Sequence, residues 1–316
     1  MSEPAGMNRC ARVHDFCFSG SMRCIFLLVT ACALWAGAAA AAAPQLAPLV
    51  DRLAADGFDR AEIVALFNMP DLVYDPVFMG KKIRVLFRTR YGLAPPPQPA
   101  NPDRPKTKFY EPHLTLEMLV KVRVFMEEHA ATLRTVESAY GLPPTVAMAF
   151  LVVETKLGEF LGSQNAFMVL AGMAVSTEYQ QIAPFLEEYL PTEEQLQWVA
   201  TRQADKAGWA YAELKALLRY ARTNRLDPTQ MPGSIYGAIG MCQFLPSNAL
   251  RFGQDGDADG MVNLFAADDA LMSLGYFLYK AGWKPTLTRE AKLKVILRYN
   301  PDIFYAKTIM SVAEHL

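Results

Sequence analysis

The sequence predicts a mainly α fold. Three observations carry that expectation. Apolar residues recur at helix-like spacing along most of the chain, helix-start and helix-stop residues punctuate them, and alternating strand patterns are scarce. A chain of 316 residues is long enough for one large domain or two smaller ones. The expected division is a signal segment over 1–43, a helical segment with a proline-rich connector over 44–105, and a main domain over 106–316.

In segment 1–43, Arg12 and Arg23 precede the apolar run 24–35, and an alanine-rich stretch to Ala43 offers small-residue cleavage sites, as in a secretory signal. The run falls short of the roughly 20 residues a membrane span needs. A second reading makes Val29, Thr30, Ala31 and Cys32 a loose lipoprotein box that lipidates Cys32. The apolar stretch continues to Trp35, which favours simple cleavage near Ala43. Both readings take the protein out of the cytoplasm. Without this segment, 28 basic and 30 acidic residues remain, a balance that gives no support to nucleic-acid binding. Cys242 is then the one cysteine left, so no intramolecular disulfide forms. His113, His129 and His315 lie in no motif that makes it a nucleophile.

Residues 45–91 read as helical, with Leu46, Leu49, Val50 and Leu53 and later Ile63, Val64, Leu66 and Phe67 at helical spacing. Lys81, Lys82, Arg84, Arg88 and Arg90 form a basic cluster, either a solvated helix face or a contact for an anionic polymer. Six prolines over 93–105 mark an extended connector or exposed loop. One long amphipathic helix is expected over 114–140, ended by Gly141, Pro143 and Pro144.

The helix that follows is the most informative. It opens on two prolines, is apolar all round through 146–153, and closes on Glu154 before Gly158. Burial and the negative end of the helix dipole both penalise a charged carboxylate, so both raise its pKa. A carboxyl that keeps its proton near neutral pH serves as a general acid. Lys156, two positions on, points away from it. The competing reading is a structural glutamate satisfied by backbone N–H groups. Further on, Thr192 and Gln195 read as a capping box, and more helices are expected over about 207–225, 268–281 and 288–298.

Three other segments carry candidate chemistry. Over 233–248, Gly233, Gly237 and Gly240 accompany Ser234, Gln243 and Phe244. An amide beside an aromatic ring suits a sugar; the alternative is a turn before a helix with Phe244 in the core. Over 255–263, Asp255, Asp257, Asp259 and Gly260 match the start of a calcium loop, with Met261 placed to offer its carbonyl. The closing position falls on Ala266, and Asp268 and Asp269 come late, so a metal-free acidic turn competes. Tyr299 and Asn300 follow a helix, where they bond a substrate or cap the helix end.

Taken in order, Glu-Thr-x-x-Gly at 154–158, the Gly-Ser segment 233–247, the Asp-rich loop 255–263, Asp-Ala to Gly-Trp over 269–283 and Tyr-Asn at 299–300 resemble the lytic murein transglycosylase B family. The resemblance covers roughly 112–303 and extends weakly to 51–91. It implies a lysozyme-like helical fold with an elongated substrate cleft, in a periplasmic enzyme of cell-wall turnover. The implied substrate is peptidoglycan, cut at the MurNAc-β-1,4-GlcNAc bond with a 1,6-anhydro-MurNAc product. Glu154 is implied as sole catalyst, acid first and base second, without the nucleophile of two-carboxylate glycosidases. Ser234, Gln243, Phe244, Tyr299 and Asn300 are implied as substrate contacts, and wall-synthesis or secretion machinery as protein partners. This chemistry requires no cofactor or catalytic metal, and the candidate ion is a structural calcium at 255–263. The chain departs from the family pattern at Phe277, where a tyrosine is usual, at 175–181, which lacks the usual arginine, and at Cys242, which replaces a glycine. A water-using muramidase and a catalytically weakened glycan-binding scaffold are the competing functions.

Overall fold

The computed structural model describes residues 46–69, 75–93 and 109–316. The signal expected over 1–43, its Cys32 alternative and the connector 94–105 lie outside the described residues. Among the described residues, no single helix is long and apolar enough to cross a membrane.

Thirteen α-helices make up the described fold. Helices α1 (Ala47–Ala55), α2 (Arg60–Phe67) and α3 (Val77–Arg90) come first. Asp59 caps α2 by accepting the Glu62 N–H. Then come α4 (Leu116–Glu128), α5 (Ala130–Tyr140) and α6 (Pro144–Thr155). The single helix expected over 114–140 is thus two. The break is at His129, whose Nδ1 lies 3.0 Å from Asp268 Oδ1, a tertiary bond that local spacing does not reveal.

After α6 come α7 (Ala166–Val175), α8 (Tyr179–Ile182) and α9 (Glu193–Thr223), which opens on the expected Thr192–Gln195 capping box. Then follow α10 (Pro246–Phe252), α11 (Ala267–Lys280), α12 (Arg289–Ile296) and α13 (Ile303–Ala313). Two short strands, β1 (Gln164–Asn165) and β2 (Pro232–Gly233), pair antiparallel with Gln164 opposite Gly233.

One hydrophobic core joins these elements. Helix α7 packs along α9, α11 against α5, and α13 against α6, while α1 and α3 lean on α7 and α3 also on α9. Helix α6 runs through the centre. Its first residue is Pro144, whose missing N–H costs nothing there, and Ala147 to Leu151 are fully buried. That is why its sequence shows no polar face.

Candidate active site

Helix α6 ends abruptly beside Glu154. Lys156 (φ 53°) and Leu157 (φ 63°) adopt left-handed backbone, which costs a non-glycine residue about 1 kcal/mol or more. The Lys156 N–H bonds the Val152 carbonyl (3.1 Å) and the Leu157 N–H the Leu151 carbonyl (3.0 Å), which offsets that cost. Thr155 explains the residue after the glutamate. Its hydroxyl donates to the Met241 carbonyl (2.9 Å) and accepts the Gly158 N–H (3.1 Å), tying the helix end to the glycine-rich segment. The close approaches at those glycines are made by the protein itself. A Cβ on Gly240 would lie 2.5 Å from the Leu264 side chain, and one on Gly162 would lie 2.1 Å from the Gly233 carbonyl oxygen.

Glu154 is half-buried in a cavity of about 220 Å³ that it lines with Phe160, Gly162, Ser163, Ser234 and Gln243 among others. Among the described residues no cation pairs with it. Its partner is the Tyr305 hydroxyl, which donates to Oε1 from helix α13. Burial pushes the Glu154 carboxyl up to about 7, and the Tyr305 bond holds it back from rising further. Tyr305 in turn packs parallel to Tyr299, with ring centroids 6.1 Å apart. Burial and the neighbouring Glu154 keep both phenols protonated, well above their usual range.

A second cavity of about 440 Å³ shares Ser234 with the first and is lined by Tyr299 and Asn300 together with Lys82, Lys206, Trp209 and Tyr236. The pair of cavities adjoins at Ser234, with Phe160 and Glu154 in one and Asn300 in the other. It brings together five of the six residues singled out in the sequence. Ser234 is held by its own loop, its Oγ accepting the N–H groups of Tyr236 (3.2 Å) and Ala238 (3.1 Å). That leaves its hydroxyl proton to donate. The Gln243 amide donates to the carbonyls of Leu161 (3.2 Å) and Gly240 (3.0 Å), which leaves its oxygen as the group not used in the loop. The Tyr299 hydroxyl donates to the Cys242 carbonyl.

Phe244 is the exception. It is 1% exposed and packs against Phe277 and Tyr299, so it offers no face to a sugar. It supports Tyr299 from below, and the core alternative of the sequence reading describes it. Cys242 is fully buried, and burial pushes its thiol far up, which suits packing and not nucleophilic attack.

The Asp-rich loop folds as a ring of carboxylates. Ligand atoms of Asp255, Asp257 and Asp269 lie within 4.8 Å of one another. Asp269, in the first turn of α11, stands where position 266 offers no carboxylate. It accepts the N–H groups of Gly256 (2.7 Å) and Asn263 (2.5 Å). Burial raises its pKa, and the charges of Asp257 and Asp255 raise it further. A ring of hard oxygen donors with a like-charge burden fits a divalent ion such as calcium.

Residues 41–294 match the transglycosylase SLT domain. The chain belongs to the transglycosylase SLT domain family. A relative within reach of sequence comparison is the membrane-bound lytic murein transglycosylase B of Escherichia coli (strain K12), 23% identical over 244 residues. That match spans 76% of this chain and 58% of the relative's length. The fold matches the crystal structure of the soluble lytic transglycosylase SltB1 from Pseudomonas aeruginosa. The TM-score is 0.63 at 19% identity, covering 86% of this chain and 97% of that one. It also matches the Escherichia coli lytic transglycosylase Slt35 in complex with calcium, with a TM-score of 0.62 at 18% identity, covering 86% and 92%. The fold is thus the mainly α, lysozyme-like one.

Resemblance to the lytic murein transglycosylase B family implies a tyrosine where this chain has Phe277. Phe277 is 7% exposed, among Phe244, Phe252 and Tyr299, and Tyr276 turns to Tyr140 and Phe252. The phenol at the glutamate is Tyr305, which sequence reasoning missed. The one available signal was a second tyrosine six residues after Tyr299 at the start of an apolar helix.

Proposed function

We propose that the protein is a peptidoglycan lytic transglycosylase, that residues 106–316 form its catalytic domain and that segment 44–105 supports it. The observation that carries this reading is the isolation of Glu154. It is the only carboxylate lining the two joined cavities among the described residues. A hydrolysing pair needs a second carboxyl about 5–9.5 Å away to act as nucleophile or to activate water. With one carboxyl, the arrangement favours an attacking oxygen supplied by the substrate itself.

The protonated Glu154 donates to the glycosidic oxygen as the C1–O4 bond breaks between MurNAc and GlcNAc. The resulting carboxylate takes the proton of the muramyl C6 hydroxyl as O6 bonds C1. The proton count closes, no water is consumed, and the products are a free GlcNAc 4-hydroxyl and a 1,6-anhydro-MurNAc end. A carboxyl pushed up to about 7 is protonated often enough for the first step and ionises readily for the second. Tyr305 holds Oε1, which leaves the other oxygen to face the sugar. Ser234, the Gln243 oxygen and Asn300 are placed to bond hydroxyl and acetamido groups, with Tyr299 forming part of the wall. The ring of Asp255, Asp257 and Asp269 holds a structural calcium in this reading, which the existence of a calcium complex of the related Slt35 supports. A periplasmic location and partners in wall-synthesis or secretion machinery belong to the same proposal.

Digestion of sacculi, read by mass spectrometry, tests it. The wild type should release muropeptides one water lighter than hydrolysis products, and Glu154→Gln should release none. Muropeptides carrying the extra water would make it a muramidase, and release of anhydro products by Glu154→Gln at close to the wild-type rate would remove Glu154 as catalyst. Sacculus binding without any release would make it a scaffold.

A further inference from the structure

The basic stretch of α3 divides on folding. Arg84 turns to Glu188 and Tyr189. Lys82 turns into the larger cavity, where its Nζ lies 4.1 Å from the centre of the Tyr236 ring. Lys206, from α9, lines the same cavity, its Nζ 5.8 Å from the centre of the Trp209 ring. Among the described residues neither ammonium pairs with a carboxylate, and no acidic residue lines the cavity. Burial holds the Lys82 amine below its usual range, and the charge of Lys206 lowers it further. Two half-buried cations that share a cavity repel each other, and an anion bound between them relieves both.

We propose that Lys82 and Lys206 form a carboxylate-binding subsite that reads the muramyl substituent beside the scissile bond. The proposal rests on the transglycosylase reading above. The cavity meets that of Glu154 at Ser234, so a glycan lying across Glu154 brings a neighbouring sugar's substituent to the lysines. On muramic acid that substituent is a lactyl ether bearing a peptide with several carboxylates. Trp209 and Tyr236 supply flat apolar walls for its backbone. The carboxylate has two sources: the peptide, or the lactyl group itself once the peptide is removed. The subsite also gives the N-terminal helices a part in recognition, since Lys82 belongs to α3.

The test compares three substrates: peptide-bearing strands, amidase-stripped strands with free lactyl carboxylates, and stripped strands capped as neutral methylamides. On a carboxylate-bearing strand, Lys82→Met/Lys206→Met should raise KM about tenfold with kcat nearly unchanged, as for binding felt equally before and during reaction. On capped strands the difference from wild type should vanish. A loss confined to peptide-bearing strands assigns the peptide carboxylate, and an equal loss on stripped strands assigns the lactyl group. Equal KM values on all three, or the same rise on capped strands, overturn the subsite. Lys82→Arg/Lys206→Arg should retain most of the wild-type preference. Should the methionine variant fail to fold, the wild type gives a second readout. Its KM should rise with salt on charged strands and stay level on capped ones, and a salt-independent KM overturns the subsite. Absence of anhydro products from every strand with wild-type protein would instead remove the transglycosylase reading, which the three-way KM comparison leaves standing.

Discussion

Glu154 and Asp269 are two carboxyl groups pushed upward by burial, yet their surroundings suit opposite tasks. Glu154 has one hydroxyl donor and no charged neighbour close enough to shift it. Asp269 has two backbone N–H donors and the charges of Asp255 and Asp257 against it. The first environment keeps a proton available to hand over. The second collects negative charge that a cation would neutralise. The two regions are also joined: Met241 donates its N–H to the Leu264 carbonyl at the end of the Asp-rich loop (2.8 Å) and accepts the Thr155 hydroxyl beside Glu154. Direction of shift alone does not separate a catalyst from a cage. The proposed assignment of Glu154 as acid and Asp269 as ion ligand rests on the company each carboxyl keeps.

The sharpest way to break this comparison is Glu154→Gln. A positioned acid-base group contributes about 10²–10⁴ in rate, and here one group serves both steps. Release of anhydro-muropeptides should fall at least about 10³-fold, with sacculus binding retained in a pull-down. A fall of tenfold or less would place Glu154 with Asp269, as a structural carboxyl.

The same substitution should affect stability in the other direction. The folded-state pKa of Glu154 lies above the unfolded value, so its contribution is fully present below about pH 4.5 and is lost as pH rises through about 7. Above that, holding the ionised group in place costs up to about 3 kcal/mol, less where water reaches it. Glu154→Gln should therefore melt higher than wild type at pH 8, with little difference at pH 4.5. Equal Tm values at both would mean that the carboxyl is not strained by burial.

Asp269 sharpens the other side. Calcium at a hundred times its Kd stabilises by about 2.7 kcal/mol, which for a chain of this size is a rise in Tm of about 5 °C. Asp269→Asn should abolish that rise while anhydro-product release in calcium-free buffer stays measurable. A Tm indifferent to calcium in the wild type would leave the ring as a metal-free turn.

How much of this was legible beforehand follows from the range of each interaction. Glu154 stood out because the cause of its shift is local: an apolar helix carries it into the interior. The opening of the Asp-rich loop was legible for the same reason, since Asp255, Asp257 and Gly260 lie within six residues. The way Asp269 joins that loop was not, because it reaches back 13 residues to Gly256 from a separate helix, and by spacing alone it came too late. The break at His129 depends on Asp268, and the interior position of Phe244 on Phe277 and Tyr299, all of them tertiary contacts. Tyr305 is the extreme case, 151 residues from the group it touches, with no local pattern announcing it.

That residue gives the smallest expected effect and the finest test. The Tyr305 hydroxyl is the group that lowers the Glu154 pKa against burial, and it also orients Oε1. A hydrogen bond to a charged group is worth about 1.5–3 kcal/mol, so Tyr305→Phe should reduce kcat/KM about tenfold or somewhat more. The pH profile separates its two roles. Losing the donor leaves burial unopposed, the carboxyl holds its proton to higher pH, and the alkaline limb of kcat/KM moves upward from about 7. A rate loss with the limb unmoved would mean that Tyr305 orients Glu154 without tuning it. A limb that moves down would mean that the hydroxyl favours the protonated acid, and the contrast with the backbone-held Asp269 would then rest on burial alone.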